Sequence, residues 1–281
     1  MTQVPNLAFN DGRRIPQLGF GVWQVPPEEA ATHVATALDA GYRHVDTAAA
    51  YGNEAGVGKA IAESGLSRDE LFVTTKLWNA DHGYDATLTA LDASLERLGL
   101  DHVDLYLIHW PLPSVGKYVD TWKAFERARA DGKVGSIGVS NFQPQHLRRV
   151  ADEADVVPAI NQVELHPDFQ QNALRETHRE LGVITEAWSP LGQGKGLLED
   201  PVLARVADKH GKTAAQVTLR WHLQLGNVVI PKSVTASRIR QNIDSFDFEL
   251  DAEDMAAIDG LEAGNRIGPN PDSMDYAEPL S

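Results

Sequence analysis

With 281 residues, no cysteine and a formal net charge of −15, the chain excludes disulfides, thiolate catalysis and cysteine metal sites, and disfavours nucleic acid or an anionic membrane as its main partner. No run approaches the roughly 18 apolar residues of a membrane span, and Met1-Thr2-Gln3-Val4-Pro5-Asn6 has no basic segment leading into an apolar one. A soluble, cytoplasmic protein is expected, built as one large domain over residues 1–281, since α/β barrels commonly use about 250 residues.

In chain order, Asp11-Gly12 between the runs at Leu7-Ala8-Phe9 and Ile15 signals a small hairpin, a candidate cap for the closed end of a barrel. Strand and helix signals then alternate. A strand over 18–23 precedes an Ala-rich helix opened by Pro27-Glu28-Glu29 and stopped at Gly41, the expected punctuation of a helix. A strand ending on Asp46 precedes a helix over 54–63, a strand over 71–76 precedes a helix over 85–98, and a strand over 103–109 precedes a helix over 120–130. The second half repeats this, with strands over 134–139, 157–163, 183–188 and 227–230 and helices over 144–151, 173–180, 213–224 and 235–242. Eight β-then-α units predict a (β/α)8 TIM barrel, because right-handed crossovers of this length generate a parallel sheet. A six-stranded open sheet is the alternative. An extra helix is predicted over 252–261, and the tail from Gly264, rich in Gly, Pro, Asn and Asp, reads as a mobile segment that closes over the pocket.

Three strand-like runs end on reactive groups: Asp46, Lys76 and His109, with Tyr51 in the loop after Asp46. Parallel strands of a barrel place such ends together, where active sites are assembled. Hydride addition to a carbonyl builds negative charge on oxygen, which calls for a proton donor and a hydrogen-bond donor. Tyr51 is the candidate acid. A tyrosine holds its proton to about pH 10, and the ammonium of Lys76 is expected to lower that. Asp46 would compensate the lysine charge, and His109 would orient the carbonyl. A zinc reading through His44, Asp46 and His109 is the competitor; His44 and Asp46 share a strand face, but a further ligand is unassigned.

The segments Gly41-Tyr42-Arg43-His44-Val45-Asp46-Thr47-Ala48, Leu105-Tyr106-Leu107-Ile108-His109-Trp110-Pro111, Gly138-Val139-Ser140-Asn141-Phe142, Asn161-Gln162-Val163-Glu164 and Ile230-Pro231-Lys232-Ser233 resemble the aldo-keto reductase superfamily in content and order. The tail Arg266-Ile267-Gly268-Pro269-Asn270-Pro271-Asp272 is similar to the bacterial branch that includes 2,5-diketo-gluconate reductases. The resemblance implies an Asp-Tyr-Lys-His tetrad at Asp46, Tyr51, Lys76 and His109, and NADPH held across the barrel mouth without a Rossmann domain. It assigns Lys232, Ser233 and Arg238 to the adenosine 2′-phosphate, and Gln241 and Asn242 to the neighbourhood of the adenine. Cations and free amides at a strand-helix junction suit a phosphate on physical grounds as well.

At the nicotinamide end, Ser140, Asn141 and Gln162 end the fifth and sixth strands, where they could bind a carboxamide. Trp188, ending the seventh, offers a stacking face, with Ser189 and Leu191 beyond it for the pyrophosphate. Gly192-Gln193-Gly194-Lys195-Gly196 reads as a flexible loop over that pyrophosphate and is no dinucleotide fingerprint, because it follows the seventh strand and not the first. Trp23, Trp78 and Trp110 follow the first, third and fourth strands and should wall a substrate pocket, with Asn79 as a polar contact. The expected partner is a small carbonyl compound, the expected assembly a monomer, and no metal is expected. A cofactor-sensing protein on the same fold is the alternative, and loss of a tetrad residue would have favoured it.

Overall fold

The computed structural model describes residues 4–278, so that Met1, Thr2 and Gln3 of the N-terminal reading and residues 279–281 of the tail reading lie outside it. Strands β1 (Asn6–Ala8) and β2 (Arg14–Pro16) pair antiparallel. Gly12 turns between them at φ 85°, and the Asp11 carboxylate accepts the Arg13 N–H at 2.9 Å. The hairpin sends Phe9 and Ile15 into a cluster with Leu105, Leu107, Ile160 and Val228, all buried. These plug one end of the barrel with apolar side chains.

Eight parallel strands follow: β3 (Phe20–Gly21), β4 (His44–Asp46), β5 (Phe72–Leu77), β6 (Val103–Ile108), β7 (Val134–Ser140), β8 (Ile160–Glu164), β9 (Ile184–Trp188) and β10 (Val228–Val229). Their order in the sheet is their order in the chain. Closure comes from the first and last: Leu18 bridges Val229 in parallel, Gly19 N–H donates to the Val229 carbonyl at 2.8 Å, and Val229 N–H to the Gln17 carbonyl at 3.0 Å. The open sheet is thereby excluded.

Helices α1 (Pro27–Ala40), α2 (Glu54–Glu63), α3 (Tyr84–Leu98), α4 (Tyr118–Ala130), α5 (Pro144–Glu153) and α6 (Asn172–Leu181) each lie between consecutive strands. Their apolar faces meet the outer face of the sheet, where Val34, Leu91, Trp122, Phe125 and Leu147 are buried. Helix α2 reaches α3 because Gly58 lacks a side chain: a Cβ there would stand 2.1 Å from the Leu98 carbonyl oxygen.

The pattern differs from the one-helix-per-strand expectation between β9 and β10. Two helices fill that connection, α7 (Pro201–His210) and α8 (Ala214–Gln224), and only the second is read from the sequence. Helix α7 has its own start and stop: the Asp200 carboxylate accepts the Val202 N–H, Pro201 stands in the first turn, and Gly211 ends the helix in the left-handed region. Helices α9 (Ala236–Ile243) and α10 (Ala252–Asp259) complete the set. Among the described residues no helix is long and apolar enough to cross a membrane.

Candidate active site

Asp46 closes β4, Lys76 stands one residue before the end of β5, and His109 follows β6. Parallel pairing puts these ends at one mouth of the barrel, away from the hairpin. The register sets Asp46 beside Thr74, two residues before Lys76, so the carboxylate and the lysine share the inward face. Tyr51 arrives on the short 3-10 turn Ala49–Tyr51, which Gly52 ends at φ 67°. The turn brings the phenol oxygen to 3.3 Å from Lys76 Nζ.

Lys76 Nζ donates to Asp46 Oδ1 at 2.6 Å and to the Thr47 carbonyl at 2.9 Å. Burial alone would strip its proton, but the charge of Asp46 and the Tyr51 oxygen outweigh burial and raise the lysine above its ordinary range; it is an ammonium. Asp46 is pushed up by burial and pulled back by Lys76 and Gln162. Tyr51 departs from the sequence expectation. Burial is the largest influence on it and raises its hold on the proton, with Lys76 acting against that without reversing it. The phenol therefore stays protonated across the physiological range.

His109 sits edge-on to Tyr51, ring centroids 5.8 Å apart, and edge-on to Trp78 at the same distance. Burial, then Lys76, holds it well below the ordinary histidine range, so the ring is neutral. Its Nδ1 is buried without a hydrogen-bond partner. A buried lone pair is a smaller loss than an orphaned N–H, which places the ring proton on Nε2. His44 lies deeper on the same strand face, with Nε2 3.1 Å from Thr74 Oγ1.

One cavity of about 1070 Å³ opens at this mouth and is lined by Asp46, Tyr51 and His109. Ser140, Asn141, Gln162, Trp188, Ser189, Leu191, Lys232, Ser233, Arg238, Gln241 and Asn242 also line it, so the expected cofactor set is gathered in a single cleft. Its volume sits at or above the roughly 300–1,000 Å³ of pockets for drug-sized ligands, which suits a long ligand with room for a second small one. The two cations, Lys232 and Arg238, are exposed at its edge. Asn141, at φ 63°, is already engaged: its Nδ2 donates to the His109 carbonyl at 2.9 Å, and its Oδ1 accepts from Trp188 Nε1 at 2.9 Å. Ser140 Oγ donates to the Gln162 backbone carbonyl at 2.8 Å.

Trp23, Trp78 and Trp110 line the cavity as expected. Asn79 does not: it is buried, and its Nδ2 donates to the Tyr276 carbonyl at 2.7 Å. Beside it Trp78 Nε1 donates to the Glu278 carbonyl at 2.8 Å. Both bonds hold the tail across the mouth. A second anchor is Glu164, whose carboxylate accepts the successive N–H groups of Ile267 and Gly268. Ile267, Gly268 and Pro269 thus become part of the cavity wall.

A family model described as "Aldo/keto reductase family" matches residues 17–263. The chain belongs to the aldo/keto reductase family. It is 60% identical over 97% of its length to an aldo-keto reductase of Mycobacterium sp. (strain KMS), of which 99% is covered. It is 51% identical over 95% of its length to the methylglyoxal reductase DkgA of Escherichia coli (strain K12), with 97% of that protein covered. Among solved structures, a Gox0644 mutant in complex with NADPH is 49% identical, covers 98% of this chain and 100% of its own, and superposes with a TM-score of 0.93.

Two features of this aldo/keto reductase escaped the sequence. One is what holds the tail, expected to close over the pocket, in place: the Glu164 carboxylate on the Ile267 and Gly268 N–H groups, with Trp78 and Asn79 on the carbonyls beyond. Glu186 is the other: a fully buried carboxyl whose Oε2 is 2.9 Å from Gln162 Nε2. A signal existed for it, since Glu186 interrupts a strand of otherwise apolar or hydroxyl residues on the inward face shared with Trp188.

Proposed function

We propose that this aldo/keto reductase reduces small aldehydes and ketones to alcohols with NADPH, with Tyr51 donating the proton. The observation that carries this is the chain of contacts from Asp46 through Lys76 to the Tyr51 oxygen, 2.6 Å and then 3.3 Å, ending in a cavity beside a neutral His109. When bound, NADPH would supply the hydride for the carbonyl carbon. His109 Nε2–H holds the carbonyl oxygen, and the Tyr51 hydroxyl gives that oxygen its proton as charge develops there. Lys76 stabilises the phenolate left behind, and Asp46 keeps the lysine charged.

The donor set of the cleft fits the cofactor. Gln162 has its side-chain carbonyl oxygen free to accept from a carboxamide, since of that amide only Nε2 is engaged. Trp188 offers its ring for stacking, and Ser189 and Leu191, which line the cleft beside it, would flank the pyrophosphate. Lys232, Ser233 and Arg238 supply the cationic pocket that a 2′-phosphate requires in a protein of net charge −15, with Gln241 and Asn242 near the adenine. The preference for NADPH over NADH rests on those three residues. The aromatic wall of Trp23, Trp78 and Trp110 grips flat or apolar carbonyl compounds, and the relative named for methylglyoxal adds 2-oxoaldehydes as a class. We read the chain as a single domain over residues 1–281, monomeric and cytoplasmic.

The test is NADPH oxidation with methylglyoxal, an aromatic aldehyde, a β-keto ester and a diketo-sugar acid, with NADH in parallel. Tyr51→Phe is expected to lower kcat by at least about a hundredfold, the lower range for a general acid, while leaving the NADPH Kd within about twofold. Undiminished turnover in that variant would remove Tyr51 as the acid.

A further inference from the structure

Beneath Gln162 lies an acid that the reaction just described does not use. Glu186 points inward from β9 and is fully buried. Its Oε2 is 2.9 Å from Gln162 Nε2, and the same nitrogen is 2.8 Å from Asp46 Oδ2. An amide nitrogen carries two hydrogens. One goes to each carboxyl group, so the plane of the Gln162 amide is fixed from both sides.

The other oxygen of Glu186, Oε1, is buried with no hydrogen-bond partner. A carboxylate left bare at that depth would bear a large desolvation penalty, so geometry alone favours the neutral acid. We propose that Glu186 is a positioning residue of the reductase site: with Asp46 it holds both amide hydrogens of Gln162, and so presents the Gln162 carbonyl oxygen to the cofactor's carboxamide. The proposal rests on the reductase reading above.

A pH dependence follows from the same placement. The groups facing Glu186 are Asp46 from β4, Tyr51 from the turn after it, Lys76 from β5 and Gln162 from β8, while β10 sets Val228 beside it. Burial first, then the charge of Asp46, pushes the Glu186 carboxyl up to about 8, with Gln162 and Lys76 pulling the other way. Below that pH the acid is neutral. Above it a second negative charge appears on the far side of Gln162 from Asp46, and that charge strengthens the hold of Tyr51 on its proton. A phenol that holds its proton more tightly is a weaker acid, so reduction slows as pH rises through this window.

The experiment compares wild type, Glu186→Leu and Glu186→Gln by NADPH Kd from tryptophan quenching, by kcat and KM for one carbonyl substrate at pH 7, and by the pH profile of kcat. Leucine removes the acceptor, and NADPH binding is expected to weaken about tenfold, the worth of one good hydrogen bond, with kcat falling and the carbonyl KM little changed. Glutamine, whose carbonyl still accepts from Gln162, should recover most of the lost affinity. It cannot ionise, so the alkaline fall near pH 8 should vanish. Wild-type values in Glu186→Leu, or an unchanged alkaline limb in Glu186→Gln, would overturn the proposal. If Glu186→Leu does not fold, the profile of the glutamine variant decides. A wild type that binds NADPH but reduces no carbonyl would defeat the reductase reading instead, and the Kd comparison would still test the Gln162 contact.

Discussion

Lys76 carries a full charge with 1% of its side chain exposed, and three oxygens account for its presence there: Asp46, Thr47 and Tyr51. Two buried charges 2.6 Å apart gain little over a well-packed apolar pair, but breaking such a pair leaves one charge without compensation, at about 3–5 kcal/mol. Lys76→Met should therefore lower stability by about that amount in urea unfolding at pH 7, besides abolishing turnover. Lys76→Met combined with Asp46→Asn should regain much of the loss, because no bare carboxylate remains. A double variant no more stable than the single would show that packing, not charge, sets the cost. Asp46, Lys76 and His109 were legible in the sequence because each stands at or next to the end of a strand, and Asp46 and His109 stand inside a motif as well. Glu186 was not, since a lone acid in a strand carries no statement of which neighbours will surround it once the barrel closes.

Two glycines separate what a whole element contributes from what a segment contributes. A Cβ at Gly58 would meet the Leu98 carbonyl oxygen at 2.1 Å, while one at Gly268 would meet Trp188 Cη2 at 2.5 Å and Glu164 Oε2 at 2.9 Å. The first contact lies between α2 and the end of α3, deep in the helical layer. The second pins only the tail. Gly58→Ala should lower global stability by about 1–3 kcal/mol, the cost of overpacking, whereas Gly268→Ala should leave the unfolding midpoint nearly unmoved and expose the tail to limited proteolysis after Arg266. Equal midpoints for the two variants would contradict this division. Element by element the sequence was readable where apolar period and capping agreed, as in α1 with Pro27 and Gly41. Helix α7 escaped although Asp200, Pro201 and Gly211 mark its limits, because a strict alternation of strand and helix leaves no place for two helices in one connection. That the tail closes over the pocket was readable, but what anchors it was not, since backbone N–H groups meeting Glu164 leave no trace in residue pattern.

For the molecule as a whole, eight alternating units sufficed to read the barrel, and sequential strand order follows from right-handed crossovers. Its response to acid comes largely from histidines that take no part in the reaction. Burial holds His44, His178 and His222 down to about 3 and His82 to about 4. In the unfolded chain each would take a proton near pH 6.5. Their contribution to stability is thus present above 6.5 and lost as pH falls towards 3, these four alone giving a slope that approaches four protons, or about 5 kcal/mol per pH unit. Glu186 works in the opposite sense, favouring the fold below its raised value. Relief of the net charge of −15 would also stabilise on acidification, and salt screens that term. Urea midpoints at pH 7, 6 and 5 in high salt should therefore fall steeply, and a flat series would refute the histidine account. The hairpin at the opposite end from the cavity has a bearing on all of this. Phe9 and Ile15 seal the barrel floor with hydrocarbon, so water has access to the Asp46 and Lys76 pair from one side alone. Residues 4–20, which touch no reacting atom, act as the electrical insulation under a charged contact.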